Sequence, residues 1–284
     1  ARFITKQILE FTHQKKDIAY KDIAILYRTN AQSRILEEMF IREGIPYQLV
    51  GGIKFYERRE IKDLLSYLRF ISNPFDKLSF NRIVNLPARG IGKVALEKFF
   101  SFHNRRLTNN LMDSLKNVRE IENLPKAALA GLENFYKIIA DFKQKSQTLI
   151  LADLFDLILE KTGFASHLQD GSDEGEERFE NIMELRNLIV EYSEINPGLA
   201  LAKFLEETAL MTDVDKMQDK TNQVTLITFH AVKGLEFPIV FMTGMEEGLF
   251  PHNRSFNSDT KLEEERRLCY VGITRAKKML FLTR

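Results

Sequence analysis

Cysteine is almost absent from this chain. Cys269 is the only one in 284 residues, so no disulfide can form within the chain and a structural zinc site has no thiolate set to rest on. Such poverty in cysteine fits a reducing cytoplasm. No apolar run reaches the ~18 residues that a membrane span needs, which argues against a membrane partner, and no signal-peptide pattern stands at the start. The opening stretch ARFITKQILEF already has a helical pattern, so the chain reads as beginning inside a larger protein. Excess charge of either sign is missing too: 41 Lys and Arg face 40 Asp and Glu, for a net +1. That balance selects no partner by itself. Apolar residues, in contrast, make up 44% of the sequence, enough to build a packed core, and the length suits two domains.

The charge is unevenly placed. Residues 56–221 hold 23 basic and 27 acidic residues, net −4, and the two flanking pieces together carry net +5. Residues 77–106 hold seven basic residues and one acid, Glu97, whereas the stretch DGSDEGEE at 170–177 holds five acids. A map of this kind suits one anionic ligand on one face. Taken alone, ordinary surface charge explains it.

Two kinds of sequence alternate along the chain. DIAILYR, from Asp17 and Ile18 and then 23–28 after a second KDIA, is β-rich, and so is PYQLVGG at 46–52. Between them, AQSRILEEMFIREG has the apolar spacing of a helix and ends on Gly44, a suitable C-cap. Strand, helix and strand with short links is the signature of a parallel sheet. From FYERREIKDLLSYLRFISNP onward the pattern is helical. Ile61, Leu64, Leu65, Leu68 and Ile71 fall on one stripe, and several amphipathic stretches follow. β-rich sequence returns only with QVTLITFH, PIVFMTG and KKMLFLT. The expected fold class is α/β: a parallel-sheet domain, residues 1–55 and 222–284, interrupted by an all-helical insertion at 56–221.

Four stretches could carry chemistry. HAVKGLEF, residues 230–237, follows a strand, and ligands of open parallel sheets bind at the carboxyl ends of strands. Lys233 offers a cation for phosphate, Gly234 close backbone approach, Glu236 a carboxylate for ribose hydroxyls, and His230 a donor or stacking surface. A solvated loop reads equally well. In TKLEEERRLCYVGITRAKK, Thr260 and Glu263 form a capping-box pattern. Arg267, Val271 and Arg275 share a helical face, and Arg275 ends the helix, where a planar fork can meet phosphate. LPARGIGKVALEKFF holds a Gly90-Ile91-Gly92 turn between two helices, with Arg89 and Lys93 adding charge. This helix-hairpin-helix pattern leaves backbone N–H groups free for a DNA phosphate, and an ordinary tight helix connection is the plainer reading. It is no phosphate-cradling loop: Val94 replaces the Ser or Thr, and the first glycine is absent. In LYRTNAQSR, Arg28 and Asn30 follow the first strand and could hold a nucleic-acid backbone or base; an Asn-led helix cap is the plainer account.

Together these stretches resemble, in content and order, the UvrD/PcrA/Rep superfamily 1 helicases, which move 3'-to-5' on single-stranded DNA. YRTNAQSR with its following EE, GGIKFYERREIKDLLSYLR, PARGIG, TFHAVKGLEFPIVFMTGMEEGLFPH and EEERRLCYVGITRAKK carry the likeness. It spans nearly the whole chain and is weakest over 107–221. It implies that the sheet domain is RecA-like domain 2A and the insertion domain 2B, both from the C-terminal half of an ATP-dependent helicase of DNA repair or plasmid replication. It implies that Glu236 holds the ribose and that Arg275 is the catalytic arginine reaching the γ-phosphate. Arg28, Asn30, His230 and, less directly, Lys233 match positions on single-stranded DNA, and Gly90, Ile91, Gly92 and Lys93 the turn on duplex junction DNA. The family's Walker A loop and Mg²⁺-binding acids belong to the N-terminal RecA-like half. The resemblance thus implies ATP and Mg²⁺ as cofactors of the full-length protein, with none bound by this fragment alone and no metal site within it. A DNA-binding module of a helicase–nuclease subunit with a degenerate motor is the alternative.

Overall fold

All five residues of Ile23–Tyr27 are buried, which only a strand covered on both faces can achieve. The computed structural model places that strand in the middle of a five-stranded parallel sheet. It describes every residue except 15–17, 107–109 and 215–220. Asp17, counted with the first β-rich run, and the last part of the expected insertion lie outside the described residues.

The chain divides into two units, residues 1–58 with 210–284, and residues 59–209. In the first unit the chain forms α1 (Arg2–Gln14), β1 (Ile23–Tyr27), α2 (Ser33–Arg42) and β2 (Tyr47–Val50). The second unit begins with α3 (Arg59–Ser72), α4 (Lys77–Ile83), α5 (Lys93–Arg105), α6 (Leu111–Lys116) and α7 (Lys126–Lys145). It continues through α8 (Leu151–Thr162), α9 (Phe164–Leu168), α10 (Asp173–Val190) and α11 (Pro197–Val214). The first unit then resumes with β3 (Val224–Thr228), β4 (Phe237–Met242), α12 (Asp259–Ile273) and β5 (Ala276–Leu282). Among the described residues no strand falls between β2 and β3, and no helix is long and apolar enough to cross a membrane.

The sheet order is β2-β3-β1-β4-β5. β1 pairs with β3 from Ala24↔Thr225 to Tyr27↔Thr228, and with β4 from Ile23↔Ile239 to Leu26↔Met242. Side chains alternate across the sheet. Ile23, Ile25 and Tyr27 join Ile4 and Ile8 of α1 and Leu36 and Phe40 of α2 on one face. Ala24 and Leu26 join Phe229, Phe250 and Leu268 on the other, under α12. α2 ends as its glycine suggests. Gly44 has φ +66°, its N–H donates to Ile41 O, and the Ile45 N–H donates to Phe40 O at 2.8 Å, a Schellman closure.

The start of α12 departs from expectation. The helix begins at Asp259 with Ser258 as N-cap, so Thr260 lies inside the first turn, where it cannot cap. Glu263 instead accepts from Arg266 one turn later, at 2.7 Å, a pairing that the helical spacing supplies directly.

The helical unit centres on α3. Its apolar stripe is buried as the spacing predicts, but Glu60, Asp63 and Ser66 on the other sides are buried too. They are tolerable because they are partnered: Arg82 Nε donates to Asp63 at 2.5 Å and Asn181 Nδ2 to Glu60 at 2.7 Å. Beside α3 the rings of Phe70, Phe80, Phe99 and Phe135 form a chain of aromatic contacts with centroids 5.1–6.1 Å apart.

A buried charge network braces the loop after β1 in the sheet unit. Arg58, 5% exposed, donates through Nη2 to Asn30 O at 2.9 Å and Ser33 Oγ at 2.8 Å, and through Nε to Ile53 O at 3.1 Å. Its counter-charge is Glu37, 3.7 Å away, which also accepts from Ser33 Oγ at 2.5 Å and the Phe55 N–H at 3.1 Å. Removing one partner of a buried pair strands the other. Arg58→Ala is therefore expected to cost the sheet unit ~3–5 kcal/mol, read by urea denaturation, with the helical unit's transition unmoved. A loss no larger than that of an exposed pair, ~0–1 kcal/mol, would show that the network does not hold the loop.

Candidate functional site

Because all five strands are parallel, their carboxyl ends share one edge of the sheet. Arg28 and Asn30 follow β1 there, and His230 follows β3 by two residues. The chain is pinned at this edge by the Phe229 N–H donating to Tyr27 O and the Thr243 N–H to Leu26 O. Just past β2, Gly51 has φ +73° and an added Cβ would stand 3.4 Å from Ala231 Cβ of the HAVKG loop, while one on Gly52 would stand 3.2 Å from Asn30 Oδ1. Gln32 Oε1 accepts from the N–H groups of Arg28 and Thr29, at 2.8 and 3.0 Å, and shapes the turn in which Asn30 sits. The Asn30 carbonyl is the one held by Arg58.

The Arg28 guanidinium is engaged on one side. Nε donates to both oxygens of Glu265, at 2.9 and 3.1 Å, and Nη2 lies 2.7 Å from Oε1. Glu265 is 4% exposed. Its burial disfavours the carboxylate, but the Arg28 hydrogen bonds and the His252 N–H at 3.1 Å outweigh that and hold its pKa below the usual value. His230 is exposed at its rim. Crowding of the ring by protein atoms, and then the Arg28 cation, lower its pKa, while Glu265 and Glu264 pull the other way.

HAVKGLEF does not stay at this edge. It carries the chain from the carboxyl end of β3 to the amino end of β4, so His230 and Glu236 stand at opposite ends of the strands. The expectation that the whole loop serves the carboxyl edge is corrected here: eight residues separate β3 from β4, and they traverse the sheet over buried Val232. Lys233 and Gly234 are exposed along the way, with Gly234 at φ +88° and no atom within 4 Å of an added Cβ.

At the amino edge, Glu236 and Arg275 come together. The Phe237 N–H donates to Arg275 O at 2.9 Å, so the residues preceding β4 and β5 are adjacent. The Arg275 side chain donates to Val271 O at 3.0 Å, Leu235 O at 3.1 Å and Thr274 Oγ1 at 2.9 Å. These bonds use three of the five N–H groups of a guanidinium. Glu236 is exposed and pairs with Lys277 at 3.5 Å. Arg267 is exposed and pairs with Glu264 at 3.4 Å. Cys269 has its thiol pKa raised by burial, which keeps it from thiolate chemistry.

The hairpin of the helical unit is a separate feature. Gly90 has φ +74°, open to glycine at little cost, whereas Gly92 is extended at φ −81° and caps α5. Ile91, 2% exposed, packs against Gly131 of α7, where an added Cβ would stand 3.0 Å from Ile91 Cγ1 and 2.3 Å from Arg89 O. Asn85 Oδ1 accepts from the N–H groups of Arg89 and Ile91, at 2.7 and 3.1 Å, so Ile91 has no N–H to offer. Gly92, Lys93 and Val94 are exposed at the N-terminus of α5, where the first-turn N–H groups have no helical partner. Arg89 adds no outward charge, contrary to expectation. Its Nη1 donates to Ile83 O at 3.0 Å and Pro87 O at 3.1 Å and its Nη2 to Tyr67 Oη at 2.8 Å, and the guanidinium lies over the Phe135 ring.

The family model of the UvrD-like helicase C-terminal domain matches residues 1–284. The chain belongs to that family. Similar proteins include the ATP-dependent DNA helicase PcrA of Staphylococcus epidermidis and that of Staphylococcus aureus, each 44% identical over 290 residues. Each alignment covers 100% of this chain and 39% of the relative, so the chain spans about two fifths of the length of the relatives it matches. This UvrD-like C-terminal domain thus gathers its sequence-predicted residues into three groups: Arg28, Asn30 and His230; Glu236 and Arg275; and Gly90, Ile91, Gly92 and Lys93. Glu37, Arg58 and Glu265 were not singled out from sequence. The i, i+4 spacing of Ser33 with Glu37 was the one local signal for any of them.

His230 provides a check on the carboxyl edge. Its pKa is lowered on folding, so its contribution to stability is complete above the unfolded value of about 6.5 and is lost as pH falls through the folded value. An NMR titration is expected to place its midpoint below that of free histidine, and Arg28→Ala is expected to move the midpoint upward. A midpoint unmoved by Arg28→Ala would remove the cation from the histidine's surroundings.

Proposed function

We propose that this chain is the C-terminal part of an ATP-driven DNA helicase moving 3'-to-5' on single strands, and that it forms one half of the motor. The sheet unit serves as RecA-like domain 2A, expected from sequence at residues 1–55 and 222–284, and the helical unit as the insertion 2B, expected at 56–221. The observation that carries the reading is the adjacency of Glu236 and Arg275 at the amino edge of the sheet, through the Phe237–Arg275 backbone bond at 2.9 Å, in a chain of the UvrD-like family.

The donor set fits one wall of a nucleotide site: an exposed carboxylate, a guanidinium with two N–H groups that have no acceptor among the described residues, and Lys277 beside Glu236. Glu236 accepts from the ribose hydroxyls. Arg275 meets charge on the γ-phosphoryl oxygens, which grows in the transition state and is stabilised there more than in the ground state. The set does not fit Mg²⁺, which wants near-octahedral oxygen donors; among the described residues no three His, Cys, Asp or Glu are grouped to hold a metal. Bound ATP supplies the phosphoryl transfer that drives the motor, and the N-terminal RecA-like half supplies the phosphate cradle and the Mg²⁺ ligands. At the other end of the strands, Arg28, Asn30 and His230, with Lys233 along the loop that leaves that edge, make up the chain's contribution to holding single-stranded DNA. The Gly90–Lys93 turn takes duplex phosphates through the exposed backbone N–H groups at the start of α5, at Gly92 and Lys93.

Two measurements test this reading. The isolated chain is expected to show no ATP hydrolysis, with or without single-stranded DNA. In the full-length protein Arg275→Ala is expected to lower kcat by ~10³ or more with little change in nucleotide affinity, and Arg275→Lys to restore little, since a point charge cannot copy the fork. Normal turnover by the alanine variant would end the assignment, and a full-length wild type without ATPase activity would favour the binding module with a degenerate motor.

The hairpin is tested at Gly92, where a Cβ has open space and φ is −81°, so a substitution adds bulk without backbone strain. Gly92→Thr is expected to weaken binding to a duplex with a 3' single-stranded tail, uniformly across sequences, and to leave plain single strands alone. Each duplex phosphate that the turn no longer holds lowers the slope of log affinity against log salt by ~0.9. Unchanged binding to the tailed duplex would return the turn to a plain helix connection.

A further inference from the structure

One buried charge takes no part in the roles above. Glu265 lies within α12 and is 4% exposed, yet stays ionised, with Arg28 and the His252 N–H as its partners. Its grip on Arg28 is one-sided. It occupies Nε and one Nη2 position, and among the described residues Nη1 has no protein acceptor. The Arg28 side chain remains 21% exposed, so the far edge of the guanidinium is open at the carboxyl edge, close enough to His230 to lower its pKa. A guanidinium presented in this way has a free planar fork of N–H donors, the arrangement that suits a phosphate.

α12 meets the same edge a second time. Gly272 sits so close to the Phe229 ring that an added Cβ would stand 2.8 Å from Cε1. Phe229 stacks on Phe250 with centroids 4.3 Å apart, and it immediately precedes His230. One helix therefore braces the residue next to His230 and, through Glu265, Arg28 itself. The same helix leads on to Arg275, ten residues beyond Glu265.

We propose that Glu265 is a positioning residue for DNA binding: it fixes the Arg28 guanidinium so that its open edge takes one phosphate of single-stranded DNA. This rests on the reading of the carboxyl edge as the single-strand surface. An exposed arginine samples many rotamers and must be ordered when a ligand binds. One clamped by a buried carboxylate is ordered beforehand, and its charge is delivered at a fixed place.

The test uses the full-length protein and a fluorescent oligothymidylate, with anisotropy titrations over a range of salt concentrations. Arg28→Ala and Glu265→Gln are each expected to weaken binding about tenfold, the scale of one hydrogen bond to a charged group. Each is also expected to lower the slope of log affinity against log salt by ~0.7, the value for one single-strand phosphate. The double variant is expected to bind no more weakly than Arg28→Ala, because Glu265 acts through Arg28. Glu265→Asp, which keeps the charge one methylene short, is expected to fall between wild type and Gln. It serves as the readout if the Gln variant fails to fold by circular dichroism. Wild-type affinity and slope in the folded Glu265 variants, beside a weakened Arg28→Ala, would overturn the positioning role and leave the single-strand surface standing. Additive losses in the double variant would also overturn it, by placing the effect of Glu265 elsewhere. Wild-type binding by Arg28→Ala would bring down both the proposal and the surface reading on which it rests.

Discussion

The sheet unit depends on the parallel pairing of β1 with β3 on one side and β4 on the other. Ala24 lies opposite Thr225, and Ile23 opposite Ile239. Neither end of the chain could make this sheet alone, since β1 and β2 do not touch each other in it. Once the pairing is made, most else in the unit follows. α1 and α2 cover one face and α12 the other. The carboxyl ends line up beneath Arg28, Asn30 and His230, and the amino ends bring Glu236 against Arg275.

The second organising element is charge held inside the protein. Arg58 and Glu37 brace the loop that begins at Asn30, and Arg28 and Glu265 tie the end of β1 to α12. Buried pairs of this kind contribute little to net stability against an apolar alternative, but each partner is costly to strand. What they provide here is placement. Two arginines that look alike in a motif have different surroundings: Arg28 keeps an open edge, whereas Arg58 is spent entirely on its own protein.

The strands were legible because parallel strands buried on both faces read as short apolar runs, as IAILY does. Gly44 announced the end of α2 by its conformational freedom. The family was legible from motif order, and the family match over residues 1–284 bears that out. What could not be read were partnerships between distant residues. Arg28 and Glu265, or Glu60 and Asn181, carry no local signal, because only the fold brings them within reach. The burial of polar side chains on α3 has the same cause: Glu60 and Asp63 meet partners that only the fold supplies. Thr260 misled for a local reason, since a capping pattern shifted by one or two residues is indistinguishable on paper from a real one. Glu236 was assigned to the wrong end of the strands because a loop's chemistry shows in sequence and its path does not.

The interrupted sheet has a consequence for synthesis on the ribosome. β1 emerges early, but Thr225 and Ile239, its partners on either side, are made some two hundred residues later. At the usual ~5–20 residues per second this is a wait on the order of 10–40 s. Throughout that interval an apolar strand stands with both edges unpaired, the state most open to wrong association. The helical unit, built from the continuous run 59–209, needs no strand from elsewhere and can collapse during the wait. In a nascent chain the inserted piece is thus free to mature before its host, and the carboxyl and amino edges of the sheet can come into being only when the last strands have been made.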